Sequence, residues 1–303
     1  MANPLEPRSR RGEVRRQASP TTQAAKQIAG GAVIGWAQGR SEFGPRALGN
    51  RSILADPRVG EHKERINAMI KKRESYRPFA PSVLEERVTE FFEVPEGVTE
   101  FPFMTTVLNV RPEHRESLAA VTHVDGSSRL QTVAKDSNPL YWQLINAFGE
   151  LTGVPVLLNT SFNNNAEPIV NSVEDALVCF LTSGLNHLVV GEYLIDKRDG
   201  WRDELMDLRV SLPAAARVLA SRSWTAEGLQ SDYAIAWNYD ERRRKTISRA
   251  MYHVISRADG QTTAAELAAP LPANSPTLAE ELFELWSARM VRLHPQPNEK
   301  AKK

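Results

Sequence analysis

The 303-residue chain is 41% hydrophobic and 25% charged, enough for one large domain, or a large and a small one, around a buried core. No apolar run reaches the ~18–20 residues that cross a bilayer, so the reading holds no membrane segment. Net charge is +1, too balanced for a broad nucleic-acid face. Between Arg40 and Arg77, however, ten Lys or Arg stand against five Asp or Glu, a local excess suited to a compact polyanion.

In chain order, the Arg-rich opening has no apolar stretch behind it and reads as a disordered tail over residues 1–23, not as a secretory leader. Residues 24–31 read as the end of a helix closed by Gly30-Gly31, and AVIGWA (32–37) as a strand. QGRSEFGPRALGNRS follows, rich in Gly and Pro and read as loop for much of its length. Ile66, Met69 and Ile70 give residues 61–74 a helical period, ended by Pro78. Residues 102–110 and 120–134 read as strands, the second turning at Asp125-Gly126, and 138–151 as an amphipathic helix stopped near Gly153. VPVLLN (154–159) is a buried strand that releases the polar loop TSFNNNAEPIV. Ser172 caps a helix with Glu174 and Asp175 in its first turn, and HLVVGEYLI (187–195) reads as a further strand. This mixture predicts an α/β fold over residues 24–203. Residues 204–296 read as two or three helices with a small strand pair, a winged-helix-like module, and 297–303 as a short disordered tail.

Three groups of residues carry chemistry. Arg40, Arg46, Arg51, Lys71, Lys72, Arg73 and Arg77 form a cationic group, and glycines around the first three let the backbone approach a ligand. Guanidinium groups bind phosphate oxygens bidentately and lysine adds a point charge. Asn159, Thr160, Ser161 and Asn163 leave the C-terminal end of a buried strand, where α/β proteins tend to bind ligands. Thr122, His123, Asp125 and Arg129 combine a His-x-Asp pair with a cation. The one cysteine, Cys179 in ALVCFL, cannot form an internal disulfide and reads as a buried apolar residue. Nothing argues for an oxidising compartment, and the expectation is a cytoplasmic protein. No phosphate loop of the GxxxxGK[ST] type is present, nor a GxSxG elbow or zinc spacing.

Taken in order, GRSEFGPRALGNRSILADPR, INAMIKKRESYRPFAPSVL, THVDGSSRLQTV and GVPVLLNTSFN…EPIV resemble the C-terminal domain of O-carbamoyltransferases of the nodulation-protein NodU and antibiotic-tailoring type, over about Ile28 to Lys197. The resemblance implies a YrdC-like domain, a twisted mixed sheet with helices lining a basic cavity. It implies binding of carbamoyl phosphate and MgATP, with ATP and Mg2+ as cofactors, formation of carbamoyl-AMP and loss of pyrophosphate. Related synthases use a Lys-x-Arg pair and a Ser-x-Asn loop. Lys71-Lys72-Arg73 and Ser161-Phe162-Asn163 match these, which of the two lysines acts being open. The roles carried over are catalytic for Lys72, Arg73, Arg46 and Arg77. Arg40, Arg51, Lys71, His123, Asp125, Arg129, Asn159, Thr160, Ser161 and Asn163 are carried over as substrate- or nucleotide-binding, and no residue as a metal ligand. The family's larger actin-like amino-terminal domain is absent from this sequence, so a separate transferase subunit is the expected partner. Ala166 stands where the family usually has glycine and Asn186 where Asp is common. Two alternatives remain: a self-sufficient enzyme whose C-terminal module presents a peptide or carrier acceptor, and a non-catalytic nucleotide- or RNA-binding module.

Overall fold

The computed structural model describes residues 14–71, 74, 77–164, 167–226, 228–271 and 278–296. The chain divides into two units, Met1–Arg198 and Asp199–Lys303. Part of the expected amino-terminal tail is ordered, which corrects that reading. Strand β1 (Val14–Arg16) pairs with residues 193–195, and Arg16 bridges Glu192. Helix α1 (Pro20–Ala29) starts at Ser19, whose side chain accepts from Thr22 N, with Pro20 in the first turn. A three-residue strand has too short a pattern to be seen without its partner.

The first unit continues through β2 (Ile34–Ala37), β3 (Arg51–Ala55), α2 (Glu61–Ile66), β4 (Ala80–Leu84), α3 (Val88–Phe91), β5 (Val107–Asn109), β6 (Ser127–Arg129), β7 (Gln131–Val133), α4 (Pro139–Thr152), β8 (Val156–Ser161), α5 (Val173–Leu181), β9 (His187–Val190) and β10 (Tyr193–Asp196). Eight strands make one mixed sheet in the order β1-β10-β9-β2-β3-β8-β4-β7, as the α/β reading requires. β2 runs parallel to β9 and β4 to β7, while β3 and β4 flank β8 antiparallel. β5 and β6 form a separate ribbon.

Alternation along the central strands sends side chains to two cores. Ile34, Trp36, Leu54 and Leu157 meet Ala24, Ala25 and Ile28 of α1 and Leu144, Ile145 and Phe148 of α4 on one face. Ala37, Ile53, Ala55, Val156 and Leu158 meet Ile66, Ile70, Ala176, Cys179 and Phe180 on the other. Each fully buried Leu or Ile contributes about 1.5–3 kcal/mol. Asn138 caps α4 by accepting from Tyr141 N, and Gly153 ends it in a left-handed conformation (φ 77°). Ser172 and Asp175 form a capping box on α5, as its sequence suggests.

The structure departs from the sequence reading in several elements. The helix expected over 61–74 is α-helical only to Ile66 and then widens into a π-helical turn, Asn67–Lys71. β3 and β4 were not expected, because Gly-rich flanks and Pro81 within β4 argue against strands. The run 187–195 is a hairpin, β9 and β10, turning at Gly191. The two long strands expected over 102–110 and 120–134 are short pieces, β5, β6 and β7.

The second unit holds the expected strand pair, β11 (Arg209–Ser211) with a last strand at Arg292–His294. Between them lies a three-stranded meander, β12 (Ala216–Thr225), β13 (Gly228–Trp237) and β14 (Asp240–Ile247), followed by helices α6 (Arg249–Ile255), α7 (Ala264–Ala268) and α8 (Leu278–Ser287). The winged-helix-like reading contained no such meander; β12 is mostly exposed and shows no buried alternation. Among the described residues, no helix is long and apolar enough to cross a membrane.

Candidate functional site

β8 lies between β3 and β4, and its end passes into the loop Ser161-Phe162-Asn163. Phe162 anchors this loop: it is fully buried, and a Cβ on Gly35 of β2 would stand 2.6 Å from its Cζ. Phe162 N donates to Arg51 O (2.9 Å) and Phe162 O accepts from Val170 N (2.9 Å). Lys71 ties the polar residues on either side. Its Nζ donates to Ser161 O (2.6 Å), Ser161 Oγ (3.1 Å), Asn163 O (3.0 Å) and Asn163 Oδ1 (2.6 Å). Ser161 Oγ donates to Asn163 Oδ1 (2.8 Å), and Asn163 Nδ2 donates to Glu167 O (2.9 Å). Lys71 therefore links the lysine motif to the Ser-x-Asn loop, and the π-helical turn ends on it. Lys72 and Arg73 lie outside the described residues, as does Ala166.

The Gly-rich segment before β3 is gathered by Glu42, which sequence reasoning missed. Its Oε1 accepts from Leu48 N (2.7 Å), Asn50 N (2.8 Å) and Arg51 N (3.2 Å). Gly49 has φ 107°, and a Cβ there would fall 2.1 Å from the Tyr141 ring, so only glycine fits. Arg51 closes the same loop: Nη1 donates to Gln38 O (2.8 Å) and Asn50 O (3.0 Å), and Nη2 to Gly39 O (3.1 Å). Its guanidinium is engaged by main-chain carbonyls, so its first task is to hold the loop.

Two hollows open here. A small cavity of about 110 Å³ is lined by Arg46, Phe79, Met104, Arg129, Asn159 and Thr160, among others. An open cleft of about 510 Å³ is walled by Ser41, Glu42, Asn163 and residues 168–171. Pro45 and Ser161 line both. Arg129 is partly buried on β6, and its Nε is buried without a hydrogen-bond partner among the described residues. Burial first, then the neighbouring positive charge of Arg46, pushes the Arg129 guanidinium below its ordinary pKa. Two like charges facing one small cavity favour an anion between them. Met104 lies in the left-handed region (φ 54°), an uncommon conformation for a side chain of this kind, which concentrates at ligand sites. A lone methionine gives no sequence signal of this.

The other expected residues are distributed as follows. Arg40 and Arg77 are exposed and line neither hollow. His123 and Asp125 do not bond directly: His123 Nδ1 meets Ser127 Oγ (3.0 Å), which donates to Asp125 Oδ1 (2.7 Å). Burial, the largest influence, lowers the His123 pKa from 6.5, and bonds from Ser127 lower that of Asp125. Neither residue lines the hollows; both precede the strand that carries Arg129. Thr122 donates to Leu118 O (2.8 Å). Asn186 Oδ1 accepts from Val33 N (2.9 Å) and from Arg65 Nη2 (2.7 Å), a structural post.

A family profile described as "Carbamoyltransferase C-terminus" matches residues 25–197, which fall within the first unit. The chain is 52% identical over 287 residues to the nodulation protein NolNO of Sinorhizobium fredii, covering 93% of this chain and 42% of that one. It is 50% identical over 287 residues to nodulation protein NolO of Bradyrhizobium diazoefficiens, covering 93% and 52%. It is 43% identical over 173 residues to a 3'-hydroxymethylcephem-O-carbamoyltransferase of Amycolatopsis lactamdurans, covering 57% and 32%. The chain spans about half the length of the nodulation proteins it matches.

Proposed function

The chain belongs to the carbamoyltransferase C-terminus family, and from that premise we propose that its first unit activates carbamoyl phosphate with ATP to carbamoyl-AMP. Loss of phosphate from carbamoyl phosphate, with water, gives carbamate. A carbamate oxygen then attacks the α-phosphorus of ATP; the new P–O bond forms as pyrophosphate leaves. Such a reaction needs positioning and charge stabilisation and no covalent nucleophile. The observation that carries the reading is that Arg46 and Arg129 line one small polar cavity, the buried Nε of Arg129 having no partner among the described residues. The cavity has room for an acyl phosphate, and the cleft that shares Ser161 with it has room for part of a nucleotide. In this reading Lys71 holds Ser161 and Asn163 in place and lends its charge to the same wall. Lys72, Arg73, Arg77 and Arg40 enter this reading through the family motifs alone, since Arg40 and Arg77 line neither hollow.

Among the described residues, no group of three or more His, Cys, Asp or Glu converges. In this reading magnesium enters as part of the MgATP substrate, held mainly by its phosphates. The test is to mix purified protein with ATP and carbamoyl phosphate and follow pyrophosphate and carbamoyl-AMP. Pyrophosphate release that does not depend on carbamoyl phosphate refutes the reading.

Carbamoyl-AMP is labile, so transfer calls for a docked acceptor site, and we assign that step to a separate transferase subunit. A second reading has one observation in its favour. The 287-residue matches to the nodulation proteins extend into the second unit, while the match to the cephem enzyme covers only 57% of the chain. In that reading the second unit presents the acceptor, a peptide or carrier, and the protein is self-sufficient. Deleting residues 205–303 then abolishes transfer and leaves adenylate formation; transfer that survives the deletion excludes it.

A further inference from the structure

The interior of β8 holds an acceptor that nothing among the described residues satisfies. Asn159 is 1% exposed, and its Nδ2 donates to Ala47 O (3.1 Å), Ser82 Oγ (3.0 Å) and Gln131 Oε1 (3.1 Å). Those acceptors are themselves fixed. Gln131 Nε2 donates to Leu48 O (2.9 Å), and Ser82 Oγ donates to Gln131 Oε1 (2.7 Å), so Gln131 can present only its oxygen to Asn159. Turning the Asn159 amide over would set its oxygen against Ala47 O and Gln131 Oε1, acceptor against acceptor. The orientation is therefore locked by the network, with Oδ1 the free end. Oδ1 is buried and has no hydrogen-bond partner among the described residues, and Asn159 lines the small cavity with Arg129. A buried carbonyl oxygen without a donor is costly unless an occupant of the site supplies one.

We propose that Asn159 Oδ1 accepts a hydrogen bond from the carbamoyl –NH2, which makes Asn159 the residue that distinguishes a carbamoyl phosphate from other acyl phosphates. Two residues of the cavity wall each carry one orphaned atom, and the two atoms are of opposite kind. Arg129 Nε is a cationic donor for a phosphate or carbonyl oxygen, and Asn159 Oδ1 is a neutral acceptor for an N–H. An acyl phosphate with an amide end carries both complements, while acetyl phosphate, of nearly the same shape, carries a methyl group where the –NH2 would be. A site built around a buried polar atom rejects a ligand that leaves this atom unpaired far more strongly than a merely apolar pocket rejects a misfit. The inference rests on the proposal that carbamoyl phosphate is a substrate of this cavity and adds which atom selects it.

The test is calorimetric titration of the full chain with carbamoyl phosphate and with acetyl phosphate, beside pyrophosphate release with each. The wild type should prefer carbamoyl phosphate by a factor of about 10 to 100, the range one buried hydrogen bond supplies. In Asn159→Ala the two affinities should come within about threefold, and a circular dichroism spectrum and cooperative melting curve like the wild type's report that the variant is folded. Equal affinity of the wild type for both acyl phosphates overturns the inference without any variant, because a water molecule then satisfies Oδ1. A preference that survives in folded Asn159→Ala overturns it as well. The two proposals fail separately. Pyrophosphate formed equally with either acyl phosphate sinks the Asn159 assignment and keeps acyl activation. Selective binding with no pyrophosphate sinks the activation chemistry and keeps Asn159, and binding of neither compound sinks both.

Discussion

Arg46 and Arg129 line one cavity, and the charge of Arg46 raises the cost of the charge on Arg129. Arg46→Gln should therefore leave the ligand-free protein at least as heat-stable as the wild type while abolishing its stabilisation by carbamoyl phosphate. Ligand at 100 times its Kd should stabilise the wild type by about 2.7 kcal/mol, read as a rise in melting temperature. A variant that melts lower without ligand and still responds to it refutes the like-charge account. His123 carries a second prediction. Burial lowers its pKa, so on acidification the unfolded chain takes up this proton before the folded one. Its contribution to stability is full above about pH 6.5 and is lost as pH falls through and below that value. Melting curves from pH 8 to 5 should show a shallower acid decline for His123→Gln than for the wild type. Of the residues singled out in the sequence, those that meet at the cavity are Arg46, Arg129, Asn159, Thr160 and Ser161. Glu42 and Met104 were not legible, because a single carboxylate in a Gly-rich loop and a single methionine carry no pattern.

At the scale of elements, the site depends on β2, β3 and β8 lying side by side. β2 presents Gly35 where the anchor Phe162 needs room, and β3 supplies the Arg51 carbonyl that holds Phe162 N. Gly35→Ala should push the Phe162 ring and cost about 1–3 kcal/mol in denaturant unfolding. Phe162→Leu in the same chain should relieve part of the strain, giving a coupling of about 0.5 kcal/mol or more in a double-mutant cycle. Strictly additive losses argue against this contact. β8 was legible because VPVLL is an unbroken apolar run before Asn159, as expected of a strand covered on both faces. β4 was not, because Pro81 reads as a breaker until its pairing with Leu158 is known.

At the scale of the molecule, both cores described above lie within residues 1–198, and the family match ends at residue 197. A fragment of residues 1–198 should fold by itself, with a single cooperative thermal transition and retained affinity for ATP. Circular dichroism and calorimetry check this; a fragment that melts without cooperativity shows that the first unit needs the second. The sequence by itself settled the α/β class, the family, the buried strand β8 and the cationic segment before β3, because hydrophobic period, capping residues and long motifs are local properties. Tertiary structure alone decided that Lys71 grips the Ser161 loop, that Arg51 turns inward to carbonyls, and that Asn159 and Arg129, which line one cavity, each keep a buried polar atom without a partner among the described residues. Those facts depend on pairings between residues up to 112 positions apart, such as Asn159 with Ala47. A hydrogen bond across that separation leaves no periodic trace along the chain.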